Sequence, residues 1–343
     1  MSLSEYFETI YPSKCSPDSR YLATVKGMKT VGFSISSISL PVLIFTSYCI
    51  MRKTPESMKS VKMGLLNLNS WYIVSQVIQA IFIFPIVYFP FSAFTIIGLA
   101  EYLNIPTLIQ LILSITITNA MLVSIIVLFE NRSSSISFNK FCISRQKYKN
   151  FWIFSNCGSS FLVLTPPFFF LPDQEEAKIR ILKTLSCPIK EFFTDQTIVK
   201  VFGKFWETYF VQASQLIYLI SIVQIVFFST CCVYYLIIFK YSNVSVTTRR
   251  LQFRVFIGVV IQSLLPVVLT HIPLMIIMGS NERKEYDQMN NNLYILSAII
   301  HNGVASLSIL LVHGSYRKFL ISFFWKEKSK VIQITHCSKT INL

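Results

Sequence analysis

IPTLIQLILSITITNAMLVSIIVLFENR, residues 105–132, decides the fold. From Ile105 to Phe129 it runs for 25 residues without Asp, Glu, Lys or Arg. At about 1.5 Å of rise per residue, a helix of that length crosses a hydrocarbon core of roughly 30 Å. The run closes on Glu130-Asn131-Arg132, an acid and a base two residues apart. Such charges are costly inside lipid and cheap at its edge. The stretch therefore reads as the third of seven membrane-spanning helices, with a signalling end at Glu130 to Arg132.

Six further apolar segments flank it: Val31–Met51, Met63–Tyr88, Phe151–Leu171, Tyr209–Phe239, Val255–Met278 and Leu293–Val312. With Ile105–Phe129 they make seven, and no Asp, Glu, Lys or Arg lies within any of them. The whole chain of 343 residues is 53% hydrophobic and 14% charged, with a mean hydropathy of +0.55. Soluble domains carry about 25% charged residues. The fold class is all-α: a polytopic membrane protein whose helices bury against each other and against lipid. Three parts follow: an outer tail at residues 1–27, a seven-helix domain at 28–312 and an inner tail at 313–343.

Charge sets the orientation. With the N-terminus outside, the inner pieces hold 19 of the 31 basic residues and only 3 of the 16 acidic ones. Basic residues concentrate on the cytoplasmic side of membrane proteins, so the reverse orientation is rejected. The net charge of +15 then reports topology and contact with anionic lipid, and no nucleic-acid partner is expected. No cleavable signal peptide is read: Glu5 and Glu8 interrupt the start, and the first apolar run is too long for one.

Topology sorts the eight cysteines. Only Cys15 and Cys187 fall outside, where disulfides persist, and a Cys15–Cys187 bridge is expected to tie the tail to the loop Pro172–Trp206. The two sequons, at Asn131 and Asn243, fall inside and are expected to carry no sugar. The stretch Phe89 to Asn104 is apolar enough to lie along the outer membrane face. Beyond the seventh span, Tyr316, Phe319, Leu320, Phe323 and Phe324 recur at helical spacing, flanked by Arg317, Lys318, Lys326 and Lys328. That pattern predicts a short amphipathic helix on the inner leaflet.

No hydrolytic, redox or metal-binding constellation is present, so no cofactor is expected. A small-molecule cavity can be assembled from polar side chains in the outer halves of the spans. Its members are Gln76, Gln79, Gln110, Gln212, Gln215, Tyr218, His271, Tyr294, Ser297 and His301. Tyr294, Ser297 and His301 share one helical face. Sites between bundle helices are apolar with a few directional polar groups, which this set matches. Polar packing between helices gives the same residues, and the sequence leaves both readings open. At the inner end, Arg132 is either a switch held by a local acid and released towards a partner, or one half of a charge pair marking a helix end.

Several short motifs together resemble the nematode serpentine chemoreceptors, class H in particular. They are Cys15 with Tyr21-Leu22-Ala23, Leu128-Phe129-Glu130-Asn131-Arg132, Leu171-Pro172-Asp173-Gln174-Glu175, Cys187-Pro188 and Glu191-Phe192-Phe193. Gln262, Pro266 and Tyr316-Arg317-Lys318-Phe319 complete the set. One departure is Ser315, where the family tends to have Pro. The resemblance implies a G-protein-coupled receptor fold, a chemosensory role and a place in the plasma membrane, usually of a sensory cilium. It favours the switch reading, in which Glu130, Asn131 and Arg132 with Arg249, Arg250 and Arg254 meet a heterotrimeric G protein. The expected partners are thus membrane lipid, a small molecule and that G protein, and the chain is not read as an enzyme. Two rivals from another class are a seven-span ligand-gated ion channel and a transporter. The charge asymmetry opposes the first; the odd span count and lack of repeats oppose the second.

Overall fold

Proline and its neighbours set where the helices stop. In the computed structural model the second span does not run to Tyr88. It is α-helical over Lys59–Val77 and widens into a π-helical turn at Ile78–Ile83. Phe84 then leaves the helix at φ 39°, because Pro85 disfavours the helical conformation in the residue before it. The structure describes residues 2–322 except 17, 137–138, 186, 201–203, 240–244 and 281–285.

Seven principal helices follow in order: α1 (Val25–Lys53), α2 (Lys59–Val77), α3 (Thr107–Ser134), α4 (Gln146–Leu164), α5 (Lys204–Val233), α6 (Val246–Pro266) and α7 (Gln288–Val312). Helix α5 is prolonged by a π-helical turn at Tyr234–Ile238. Helix α6 passes through another at Val267–His271 into Ile272–Ser280. This wide turn follows Pro266, whose ring cannot join a regular ladder. Five of the helices are long and apolar enough to cross a membrane by length and composition. The other two, α2 and α4, are 19 residues each. Asn67, Asn69, Ser75 and Gln76 dilute the first, and Lys147, Lys149, Asn150 and Asn156 the second.

Helix α2 is the polar hub of the bundle. Asn69 Nδ2 donates to the Leu43 carbonyl of α1 at 2.9 Å, and Asn69 Oδ1 accepts from Ser306 Oγ of α7 at 2.8 Å. Gln76 Nε2 donates to Ser36 Oγ at 2.8 Å, while Asn302 Nδ2 donates to Gln76 Oε1 at 3.1 Å. Gln79 Nε2 donates to the Ser114 carbonyl of α3 at 2.9 Å. Lipid offers these amides no partner, so they are satisfied across helices. Small residues let the backbones close in. A Cβ added at Gly303 of α7 would lie 2.5 Å from Ser39 Oγ of α1.

Over one end of the bundle sits a cap. Strands β1 (Pro85–Val87), β2 (Ala93–Ile96) and β3 (Thr197–Val199) form an antiparallel sheet in the order β1-β2-β3. Within the stretch after α2, Ala93–Ile96 thus pairs in a sheet, while Leu99, Tyr102 and Leu103 beyond it stay exposed. Thr95 links the layers: its hydroxyl meets Tyr88 Oη at 2.8 Å and Thr197 Oγ1 at 2.5 Å. A lid helix, Gln174–Leu182, packs beside the sheet, and Lys178 Nζ donates to the Thr194 carbonyl at 2.8 Å. Residues 3–14 are helical and dock on this lid, with Tyr11 Oη donating to the Pro188 carbonyl at 2.6 Å. Cys15 and Cys187 form a disulfide with a Cα separation of 5.1 Å. The first turns of α7 hold the cap from below. Gln288 Nε2 donates to the Val87 carbonyl, Asn291 Nδ2 to Phe89 and Asn292 Nδ2 to Leu22.

At the other end residues 314–322 form a short helix after a single break at His313. Tyr316 is buried, and its hydroxyl meets Thr54 Oγ1 at 2.7 Å. Phe319 stacks on Phe45 of α1 and lies under Lys53 Nζ. Ser315 thus stands in the first turn of a docked helix. Phe323, Phe324, Lys326 and Lys328 of the expected amphipathic pattern lie outside the described residues, as does Asn243.

Two outcomes follow for the cap. Cys15→Ser opens a loop of about 170 residues, and disulfides of this kind contribute about 2–4 kcal/mol. The melting temperature of the detergent-solubilised protein should fall in that variant; equal melting would show that the bridge does not hold the cap. The second outcome concerns Lys200, whose ammonium lies 3.1 Å from the Phe210 ring centroid and 5.6 Å from that of Phe168. Burial between these rings pushes its amine down to about 7. From there up to the ordinary lysine value of about 10.4, the unfolded chain holds a proton that the folded cap does not. Stability due to this group therefore rises with pH across that window and is flat below it. The melting temperature of the wild type relative to Lys200→Met should climb from pH 7 to about pH 10. A constant difference would refute the buried amine.

Candidate functional site

At the end opposite the cap, α3 runs past Phe129 to Ser134. Glu130 and Arg132 are 0% and 2% exposed, so protein covers a charge pair that the sequence places at a lipid edge. Residues two apart on a helix point to different sides, and the two do not pair with each other. Glu130 faces α4, where Lys149 Nζ forms an ion pair with its Oε2. Lys149 Nζ also donates to Asn131 Oδ1 at 2.5 Å, and Ser134 Oγ donates to Glu130 Oε1 at 2.6 Å. A buried carboxylate needs such a set of partners to offset the loss of water.

Arg132 faces the other way. Its Nη2 donates to the main-chain carbonyl of Gln252 on α6 at 2.5 Å, and its Nη1 to Ser135 Oγ at 3.2 Å. The Nε proton has no partner among the described residues. No carboxylate among the described residues pairs with this guanidinium. The expectation that a local acid holds Arg132 is corrected: a peptide carbonyl on α6 does so. Arg250 and Arg254 are exposed on α6, with Arg249 partly exposed beside them. Behind this latch His313 Nε2 lies 3.3 Å from Gln262 Nε2. A Cβ at Gly258 would fall 2.8 Å from Val312, so α6 and α7 are in close contact there.

Inside the bundle the ten candidate ligand residues separate. Their ring contacts fall in separate pairs. Tyr218 of α5 and His271 of the α6 extension stack edge to face at 5.0 Å between ring centroids. His301 meets the Tyr72 ring of α2 edge-on at 5.4 Å. Ser297 joins the same helix face, but its hydroxyl donates to the Tyr294 carbonyl at 2.8 Å. Gln76 and Gln79 are taken up by the interhelical bonds of α2. Gln110 donates to the Ile105 carbonyl at 2.7 Å, closing the first turn of α3, and its Oε1 is left without a partner among the described residues. Gln212 and Gln215 are exposed on the outward face of α5 and do not join either pair.

Reading the sequence missed Tyr72, Asn302, Lys149 and the Gln252 carbonyl. Tyr72 was within reach: Asn69, Tyr72 and Gln76 recur at i, i+3 and i+7 on the polar stripe of α2. The carbonyl was not, because a backbone acceptor leaves no mark in residue identity. Elsewhere a crevice of about 240 Å³ opens between α2, α3 and α4 beside Trp71, Asn119 and Ser160. It includes none of the candidate residues.

The comparisons with known proteins agree with this architecture. A family model described as "Serpentine type 7TM GPCR chemoreceptor Srh" matches residues 23–326. Serpentine receptor class H-72 of Caenorhabditis elegans is 44% identical over 331 residues, covering 96% of this chain and 95% of that protein. Both are receptors and not enzymes. With a matching family model over most of its length and this relative across nearly all of it, the chain belongs to the class H serpentine chemoreceptors.

Proposed function

We propose that this receptor binds a small molecule within the cap-side half of its bundle and signals through a heterotrimeric G protein at the basic end. The cap and residues 1–27 face outward, residues 28–312 span the membrane and residues 313–343 lie inside. The site of action is the plasma membrane, and the family's chemosensory character points to a sensory cilium.

The single observation that carries the reading is the bond from Arg132 to the Gln252 carbonyl. A desolvated guanidinium without a carboxylate partner is held at high cost. One hydrogen bond to α6 keeps it there. If ligand favours a state in which the inner ends of α5 and α6 part, Arg132 loses its acceptor and regains solvent. It then joins Arg249, Arg250 and Arg254 as a basic surface for the G protein. Ligand drives this only through a higher affinity for the parted state. The family's 7TM GPCR description supports the coupling, and the Glu130–Lys149 pair gives α3 a fixed point against which α6 can move.

A test uses membranes from cells expressing the receptor with a heterotrimeric G protein. A compound found active in a screen should stimulate nucleotide exchange. Arg132→Ala should reduce that exchange by about tenfold or more at equal surface level, the effect of losing one charge-assisted contact. Unchanged exchange in the variant would remove Arg132 from the mechanism. Ion current or solute flux through receptor liposomes without G protein would favour a channel or a transporter.

A further inference from the structure

Three buried polar atoms of α2 and α7 have no partners among the described residues: Tyr72 Oη, His301 Nε2 and Asn302 Oδ1. Their residues are 1%, 3% and 3% exposed. The Tyr72 and His301 rings meet edge-on, and Asn302 is the next residue along α7. The amide nitrogen of Asn302 is already used, donating to Ser75 Oγ at 3.2 Å and Gln76 Oε1 at 3.1 Å. Only its oxygen remains. In a bundle surrounded by hydrocarbon, an unmade hydrogen bond cannot be recovered from solvent, so each orphan calls for a partner.

We propose that Tyr72, His301 and Asn302 anchor the single oxygen function of a neutral, otherwise apolar small molecule. This rests on the reading that a ligand binds inside the bundle, and it assigns that ligand's chemical class. The available atoms define the complement. A phenol donates or accepts, an imidazole nitrogen does either according to its tautomer, and an amide oxygen accepts. A hydroxyl group satisfies two of the three at once; a carbonyl oxygen accepts from Tyr72. Charge is excluded by what surrounds the anchor. The seven apolar segments carry no Asp, Glu, Lys or Arg, so a carboxylate or ammonium ligand would be buried without a counter-charge. The rest of the molecule meets rings: Tyr294 two helical turns away on α7, and the stacked Tyr218 and His271.

The test uses the full-length receptor in lipid nanodiscs and a chain-matched probe set: hexanol, hexanone, hexanoate and hexylamine. Binding is read by the shift in melting temperature with concentration. Hexanol or hexanone should raise it, and hexanoate and hexylamine should not. Tyr72→Phe and His301→Phe keep a ring in place and should each weaken binding of the neutral probe about tenfold, without lowering the melting temperature in its absence, because each removes an unsatisfied buried atom. Three results would overturn the proposal. One is that neither neutral probe binds. Another is binding of the charged probes as tight as that of the neutral ones. The third is neutral binding within about twofold of wild type in both variants, which would mark the orphaned atoms as the seat of an internal water only. Neutral binding lost in the variants but without G-protein coupling would sink the signalling reading and leave this one standing.

Discussion

Inside a bilayer, a polar group that is not satisfied by the protein is not satisfied at all. That constraint organises this molecule. Every formal charge is kept out of the seven apolar segments. The amides that remain inside are bound across helices, with Asn69 and Gln76 of α2 and Gln79 of the turn that prolongs it holding α1, α7 and α3. The few atoms left over are therefore informative. Among the described residues they are Tyr72 of α2 with His301 and Asn302 of α7, Gln110 at the first turn of α3, Gln262 of α6, and Arg132 beside α6.

The two ends of the bundle are built differently. The cap is tied by a disulfide, a three-stranded sheet and three side-chain bonds from the start of α7. Opening it would break many contacts together. At the basic end, α3 is fixed to α4 through Lys149, while its polar link to α6 is one guanidinium above a shared apolar core of Ile125, Ile126, Phe129, Val255, Phe256 and Val259. Segments move where few interactions must be lost. The α3–α6 contact is where a small shift in free energy could change the shape of the molecule.

Much of this was legible in the residues. The uncharged run 105–129, its six companions and the crowding of basic residues on one side led to a helical bundle and to the class H resemblance. The cap sheet was hidden, because β2 at Ala93–Ile96 completes its pairing with Thr197–Val199, about a hundred residues away. Local pattern carries no trace of such a partner, so Phe89 to Asn104 read as a membrane-surface strip. The docking of tail residues 3–14 left no local trace either, because their anchors, Pro188 and Glu175, also lie far along the chain. Of the candidate ligand residues, Tyr218 meets His271 and His301 meets Tyr72, while the glutamines serve helix packing or are exposed. An amide in a spanning helix has more ways to be satisfied by a neighbouring helix than a ring does, and residue type alone does not separate the two.

The central claim is that Arg132 holds α6 against α3. It can be measured without knowing the ligand. Spin labels at Met63 on α2 and Val246 on α6, both exposed near the basic end, report the separation by pulsed electron resonance. The account predicts that Arg132→Ala shifts the distance distribution of the unliganded receptor to longer values. An unchanged distribution would contradict it, because α6 would then be held by something other than this guanidinium.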